Sequence, residues 1–291
     1  MQIEWTVGAF VIGMDYYLEQ LVLEWPNVLY RSGPGTKDTF KIDVGSPPLK
    51  EWERKLFHST VARVLYLVKR VRTDALTITS FLCTRVTKAT EEDQCKLEWL
   101  LGYFKSSKGK KLHVRISAKD MQIRAFVDAA FALHFDAKSH TGTIITVGGA
   151  VVYVFSRKQK CMTGSPTEAA LVGQTDNLGI VGLFREFVSF LIGEQAKVPV
   201  VYQDSTLVIS LINIDGGITR TKHLRARIHI AKEFVELEEI LLCYFNTKEM
   251  PADGASKALE DKAQKDYANF DLGVAEFLWL SQLVTAGFNY N

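Results

Sequence analysis

Cysteine is scarce and scattered. Cys83, Cys95, Cys161 and Cys243 form no CxxC pair in 291 residues. Neither a zinc cluster nor a disulfide framework is expected from that spacing, and reduced thiols in a cytosolic or nuclear setting fit it. Long apolar runs are missing too, since no stretch approaches the ~20 residues needed to span a bilayer. There is no basic leader followed by an apolar core and a small-residue cleavage site, so secretion is not expected. Excess charge is also absent: 35 Lys and Arg against 33 Asp and Glu leave a formal net charge of +2. A polyanionic ligand therefore has to be argued from local clusters, not from bulk charge. No internal repeat occurs. What is present is a hydrophobic fraction of 47% with 11% aromatics, enough for a folded chain. The length suits one large domain or two ordinary ones.

Three stretches differ in pattern. Residues 1–50 read as irregular. Leu18, Leu21, Val22 and Trp25 lie at helical spacing, Pro26 breaks it, and Gly33, Pro34, Gly35, Pro47 and Pro48 mark loops. Residues 51–120 read as two helices. The first covers 55–72, with Leu56, Val64, Leu65 and Val68 as its apolar stripe; the second covers 90–105. Thr90 suits the N-cap of the second, because Glu91, Glu92 and Asp93 then sit at the positive end of the helix dipole. From residue 121 onward β-branched and aromatic residues dominate. Strands over 123–131, 143–147 and 150–155 form a meander, whose last hairpin turns at Gly148-Gly149, where both residues tolerate positive φ. The pattern then predicts a helix over 166–193, a strand over 198–202 and helices over 205–213 and 222–239. A strand over 240–245 and a helix from Pro251 complete it. A meander continued by βαβ units implies a mixed sheet with helices on its faces. Leu272, Phe277, Leu278, Leu280 and Val284 give the last residues an apolar helical pattern without an assigned role.

Four acids stand at the ends of these elements. Asp128 interrupts the first apolar strand, and Asp204 follows the strand at 198–202. Glu168 opens the long helix and Asp253 opens the last one. Carboxylates that converge from different elements suit two-metal cleavage of a phosphodiester, where two ions sit ~3.5–4 Å apart. Magnesium takes oxygen ligands and keeps several waters, so a few Asp and Glu suffice. Each acid also has a plain structural reading. Glu168 with Ser165 and Pro166 forms a capping box, Asp204 caps the next helix, and Asp253 favours a helix dipole. Asp128 has the weakest alternative, because an acid between apolar neighbours in mid-strand is costly unless it is paired or metal-bound.

These words resemble the ribonuclease H segment of copia-type retrotransposon polyproteins. Val127-Asp128-Ala129 takes the place of the family's Ser-Asp-Ala strand, and Lys138-Ser139-His140-Thr141-Gly142 is similar to its Lys-Ser-x-Ser-Gly. Ser156-Arg157-Lys158-Gln159-Lys160, followed by Ser165-Pro166-Thr167-Glu168-Ala169, resembles Ser-Lys-Lys-Gln-Lys and Ser-Ser-Thr-Glu-Ala. Tyr202-Gln203-Asp204-Ser205 stands for Tyr-Cys-Asp-Asn, and Arg220-Thr221-Lys222-His223 for Arg-Thr-Lys-His. Ala252-Asp253 with Ser256-Lys257 stands for Ala-Asp-x-x-Thr-Lys. More loosely, 57–67, Arg72-Thr73-Asp74 and 99–108 resemble the thumb and connection of the reverse transcriptase. The polymerase's Asp-Asp dipeptide is absent from these residues, so polymerisation is not expected of them.

The resemblance implies an α/β, ribonuclease H-like five-stranded mixed sheet flanked by helices and preceded by a mainly helical segment. The corresponding division is 1–118 thumb/connection-like, 119–260 ribonuclease H-like, and 261–291 a C-terminal helical tail. It implies that Asp128, Glu168, Asp204 and Asp253 are catalytic and hold two Mg2+ ions, for which Mn2+ can substitute. The implied partners are an RNA–DNA hybrid and the rest of a reverse transcriptase, with no membrane. The implied setting is the cytoplasm, including virus-like particles, or the nucleus. Arg157, Lys158 and Lys160, and a second cluster of Arg220, Lys222 and His223 continued by Arg225 and Arg227, are the candidate phosphate contacts. Three departures bear on rate: Ala130 replaces a second Asp, Ala170 replaces a Glu, and 246–251 lacks the histidine of cellular ribonucleases H. The alternatives are an inactive nucleic-acid-binding remnant or, less in keeping with the Asp253 motif, an integrase.

Overall fold

The computed structural model of the chain describes residues 1–117, 119–213 and 224–274. Strands β1 (Gln2–Thr6) and β2 (Ala9–Gly13) form a hairpin that turns at Gly8, where φ is +76°. Helix α1 (Asp15–Leu23) then buries Leu18, Leu21 and Val22. Residues 1–50 are thus more ordered than their loop signals suggest. The strand signal is short: Ile3 and Trp5 alternate with Gln2, Glu4 and Thr6 over only five residues, and β1 is exposed along its whole length.

Helix α2 (Glu51–Val68) begins before the expected position, and its buried stripe is Phe57, Val61, Val64, Leu67 and Val68. Leu56, expected in that stripe, is exposed. Helix α3 (Leu76–Cys83) was not anticipated, because its run of Thr and Ile is weakly helical by propensity. Burial holds it in place: six of its eight residues are inaccessible. Helix α4 (Glu91–Ser106) starts as expected. Thr90 Oγ1 accepts the Asp93 N–H, and the Asp93 carboxylate accepts the Thr90 N–H at 2.9 Å. Arg72 and Asp74 form a buried bidentate ion pair (2.9 and 3.0 Å), with the Tyr103 hydroxyl donating to the same carboxylate.

Strand β3 (Leu112–Val114) closes the small sheet in the order β1-β2-β3. The meander follows as β4 (Ile123–Ala130), β5 (His140–Val147) and β6 (Ala150–Lys158). Gly148 and Gly149 turn the last hairpin with φ of +57° and +86°, the two positive values that such a turn requires. Helix α5 (Pro166–Ile192) is capped by Ser165 and starts with Pro166 at its first position. Strand β7 (Val200–Gln203), helices α6 (Thr206–Asn213) and α7 (Arg225–Glu236), and strand β8 (Leu241–Tyr244) come next. Helices α8 (Asp253–Ser256) and α9 (Asp261–Asp271) end the described chain. The apolar pattern at Phe277, Leu278, Leu280 and Val284 lies outside the described residues.

The large sheet runs β6-β5-β4-β7-β8. β4 is antiparallel to β5 and parallel to β7, and β7 is parallel to β8. That order and polarity are those of a ribonuclease H-like fold. Residue alternation splits the core in two. Ala125, Val127, Ile145 and Val201 pack against α5, α6 and α7 on one face. Phe126, Ile144, Val154, Tyr202 and Phe245 belong to the core on the other, where α3 and α8 lie on the sheet and α2 and α4 pack on α3. The N-terminal helices are therefore the second layer over the sheet. Among the described residues no helix is long and apolar enough to cross a membrane.

At the junction between those helices and β5 lies a buried imidazole pair. His134 Nε2 and His140 Nδ1 are 3.0 Å apart, and His140 Nε2 is 2.8 Å from Ser156 Oγ. Phe40 meets both rings edge-on. Burial, with Lys158 adding to it, pushes His134 down to about 4, and burial holds His140 well below the usual range. Both rings stay neutral at pH 6.5, where the unfolded chain begins to take up protons. Their contribution to stability is whole above pH 6.5 and is lost as pH falls toward 4. Gln at 134 keeps a donor for His140 and takes up no proton. His134→Gln is therefore expected to show a smaller fall in the denaturation midpoint between pH 7 and pH 5 than the parent chain; equal falls would contradict the assignment.

Candidate active site

The parallel pairing of β4 and β7 ends at Val127 opposite Gln203. One residue further on stand Asp128, still paired with Gly142 of β5, and Asp204, just past the end of the neighbouring β7. Period two puts both on the face of Phe126 and Tyr202, whose rings stack at 5.0 Å. Ser205, whose Oγ lies 3.4 Å from the Val208 N–H, takes the capping position of α6, so Asp204 is not used as a cap.

Helix α8 brings the third acid. It lies so close to β5 that a Cβ on Gly142, the strand partner of Asp128, would come within 2.4 Å of Ala255 and Ser256 backbone. From the other side Thr77 Oγ1 donates to Gly254 O at 2.6 Å, and the Tyr267 ring leaves no room for a Cβ on Gly254. Gripped between β5, α3 and α9, this four-residue helix presents Asp253, Ser256 and Lys257 to the strand ends. The Ser256 hydroxyl donates to Asp128 Oδ2. Lys257 Nζ pairs with Asp253 Oδ2 at 2.9 Å, while Asp253 Oδ1 is buried without a hydrogen-bond partner.

Three carboxylates thus share one small, mostly dehydrated space, and Asp128 is only 8% exposed. Burial raises Asp253 to about 6, helped by the charge on Asp128 and opposed by Lys257. Burial and then Asp128 also raise Asp204, against the hydroxyl of Thr247 and the charge of Lys257. Lys257 itself is held above its usual value, because Asp253, Asp128 and Asp204 outweigh its burial. A nest of like charges with one orphaned oxygen suits a divalent cation, since oxygen ligands are what magnesium takes. Among the described residues no three His, Cys, Asp or Glu groups form a ready metal-coordinating cluster.

Glu168 is placed differently. It opens α5, which covers the opposite face, and its carboxylate accepts the Gly164 N–H at 2.7 Å while Ser165 Oγ accepts the Glu168 N–H. The Ser165 half of the expected capping box is formed, whereas the Glu168 carboxylate takes the N–H of Gly164 and not that of Ser165. Of the basic residues, Arg157 and Lys160 are exposed and Lys158 pairs with Asp136 at 2.7 Å. Arg227 pairs with Asp176. Arg220, Lys222 and His223 lie outside the described residues. Sequence reasoning missed Ser256 and Lys257 as parts of the site. Their signal was the i,i+4 spacing of Asp253 and Lys257 within a matched motif.

No family model matches the chain. It is 28% identical over 204 residues to the Retrovirus-related Pol polyprotein from transposon TNT 1-94 of Nicotiana tabacum. That match covers 70% of this chain and 15% of the tobacco polyprotein, so the chain spans a small part of that relative. Among solved structures it is similar to an RNase H1 from the halophilic archaeon Halobacterium salinarum, at 14% identity and a TM-score of 0.35, over 53% of this chain and 99% of that one. It is also similar to a foamy viral protease-reverse transcriptase in complex with RNA/DNA hybrid, at 11% identity and a TM-score of 0.46, over 89% of this chain and 31% of that one. These scores leave the fold to be carried by the strand order of the sheet. In sequence the chain is a relative of a retrovirus-related transposon Pol polyprotein, and its large sheet has the ribonuclease H-like arrangement.

Proposed function

We propose that the chain is the ribonuclease H of a retrotransposon, hydrolysing the RNA strand of an RNA–DNA hybrid. The observation that supports this most is the convergence of Asp128, Asp204 and Asp253 at the ends of β4 and β7 beneath α8. Asp128, Asp204 and Asp253 would hold divalent magnesium; Glu168 joins them as the fourth ligand only if its carboxylate gives up the Gly164 N–H. Bound there, two such ions supply an activated water and stabilise the leaving oxygen.

The protein's own residues do the rest. Ser256 fixes the rotamer of Asp128 by donating to Oδ2. The hydroxyl of Thr247 favours the charged form of Asp204. Lys257 keeps the nest tolerable by balancing one negative charge. Below about pH 6 Asp253 carries a proton that has to leave before its carboxylate can act as a ligand. Arg157 and Lys160, with Arg220, Lys222 and His223, would contact phosphates and give salt-sensitive affinity.

A magnesium titration with a labelled hybrid tests this reading. Product is expected with the ion and none in chelator; binding without product would favour the inactive remnant. The pH dependence has a definite sign. Below pH 6 Asp253 is protonated and competes with the ion, so magnesium affinity should rise as pH passes through about 6. Calorimetry in two buffers of different ionisation heat should show proton release at pH 6 that vanishes in Asp253→Asn. Proton release unchanged by that substitution would refute the assignment of the proton to Asp253.

A further inference from the structure

Away from the carboxylates, an open pocket of about 570 Å³ lies between the N-terminal helices and α9. Three cations from distant parts of the chain line it: Arg31, Lys110 and Lys265. No carboxylate lines it. The Arg31 guanidinium is stacked 3.9 Å over the Trp99 ring, which orients it, and it donates no hydrogen bond among the described residues. Lys110 Nζ gives one hydrogen bond, 3.1 Å, to the Tyr103 hydroxyl. Lys265 is exposed and, among the described residues, has no ion-pair partner.

Asp74, whose charge acts on Lys110, is already committed. Asp74 is held bidentately by Arg72 and receives the Tyr103 hydroxyl, so its charge is spent below the floor. Burial, with Arg72 and Lys265 adding to it and Asp74 opposing, holds Lys110 below the usual lysine range. Convergent cations cost free energy through mutual repulsion, and an anion in the pocket removes that cost. A planar guanidinium beside two ammonium groups matches the oxygens of a tetrahedral phosphate. Tyr30, exposed at the rim with Lys105 Nζ 5.0 Å from its ring centre, adds a further cation and an aromatic edge beside that phosphate.

We propose that Arg31, Lys110 and Lys265 form a second phosphate-binding pocket, which takes one phosphodiester of a nucleic-acid strand outside the carboxylate site. The alternative source of the same chemistry is free phosphate.

The test is run in chelator, where hydrolysis cannot occur, so its outcome is independent of the nuclease reading. Anisotropy of a short labelled hybrid is measured at several salt concentrations for the parent chain, Lys265→Gln, Lys110→Gln and Lys265→Arg. Both Gln variants are expected to weaken binding several-fold and to reduce the salt slope by about 0.9, the value of one lost phosphate contact. Lys265→Arg should bind like the parent. Calorimetry with inorganic phosphate forms the second arm. If phosphate alone binds the parent but not the Gln variants, and hybrid affinity is unchanged among them, the pocket stands with free phosphate as its ligand. If neither hybrid affinity, salt slope nor phosphate binding differs between the parent and both Gln variants, the pocket is not an anion site. Lys265 is exposed, so its replacement leaves folding intact and keeps the test decisive.

Discussion

Asp128→Asn is expected to abolish magnesium-dependent cleavage while leaving the fold intact or firmer. The side chain sits between the other two aspartates and raises both of them by its charge. Asn keeps the size and still accepts the Ser256 hydroxyl, so packing under α8 is preserved. What disappears is one negative oxygen donor. The loss of rate should be at least the ~10²–10³-fold that follows removal of a single preorganised electrostatic group. In the opposite direction, stability at pH 7 should rise by up to about 1 kcal/mol, the scale of one pKa unit of relieved repulsion. Asp253 should also titrate nearer its ordinary value. A purely structural aspartate would show the reverse pair of effects: cleavage within tenfold of the parent chain and a lower melting temperature. That result would remove Asp128 from the site.

Gly142→Ala should be a strongly damaging single methyl, and one that acts beside the acids. Its added carbon would sit 2.4 Å from the Ala255 and Ser256 backbone, and 2.7 Å from Ala252 O. No flexible side chain can turn aside, so α8 itself has to move. Overpacking of this kind costs ~1–3 kcal/mol, and a contact with backbone belongs at the upper end of that range. The same movement displaces Asp253 and Ser256, and misplacement of a reacting group by ~1 Å can cost ~10²-fold in rate. Gly179→Ala in α5 serves as the control, because nothing lies within 4 Å of that site. It should stabilise the chain by about 0.5–1 kcal/mol, as replacing an exposed helical glycine does. Urea denaturation and a cleavage assay on both variants check this. If Gly142→Ala were neutral in both, α8 would not be clamped as described.

Much of the architecture was legible because it is written in short-range patterns. The β-branched runs at 123–130 and 150–158, the two glycines between β5 and β6, and Ser165-Pro166 before α5 each specify local geometry. Helix α3 and the strands β1 and β3 were not legible, for different reasons. α3 is buried on nearly all sides, so it lacks a polar face, while β1 alternates over five residues only and leaves Ile3 and Trp5 exposed. Glu168 shows the limit most clearly. Its capping and its metal-binding readings rest on the same three letters, Ser165, Pro166 and Glu168, and the fold displays the Ser165 cap and the carboxylate contact with Gly164.

By itself the sequence determined the order of strands and helices from residue 121 onward, the acids at their ends and the likeness to a transposon polyprotein. Each of these depends on neighbours within a few residues or on letters in a fixed order. Tertiary structure alone decided that Asp128 stands on β4 with Asp204 just past the end of the neighbouring β7, that α8 is pinned between Gly142, Thr77 and Tyr267, and that Arg31, Lys110 and Lys265 meet in one pocket. Register and packing place residues that lie far apart in the chain within a few ångströms. Charge repulsion and desolvation act only across that distance in space, so the chemistry of the acids appears once the sheet has closed around them.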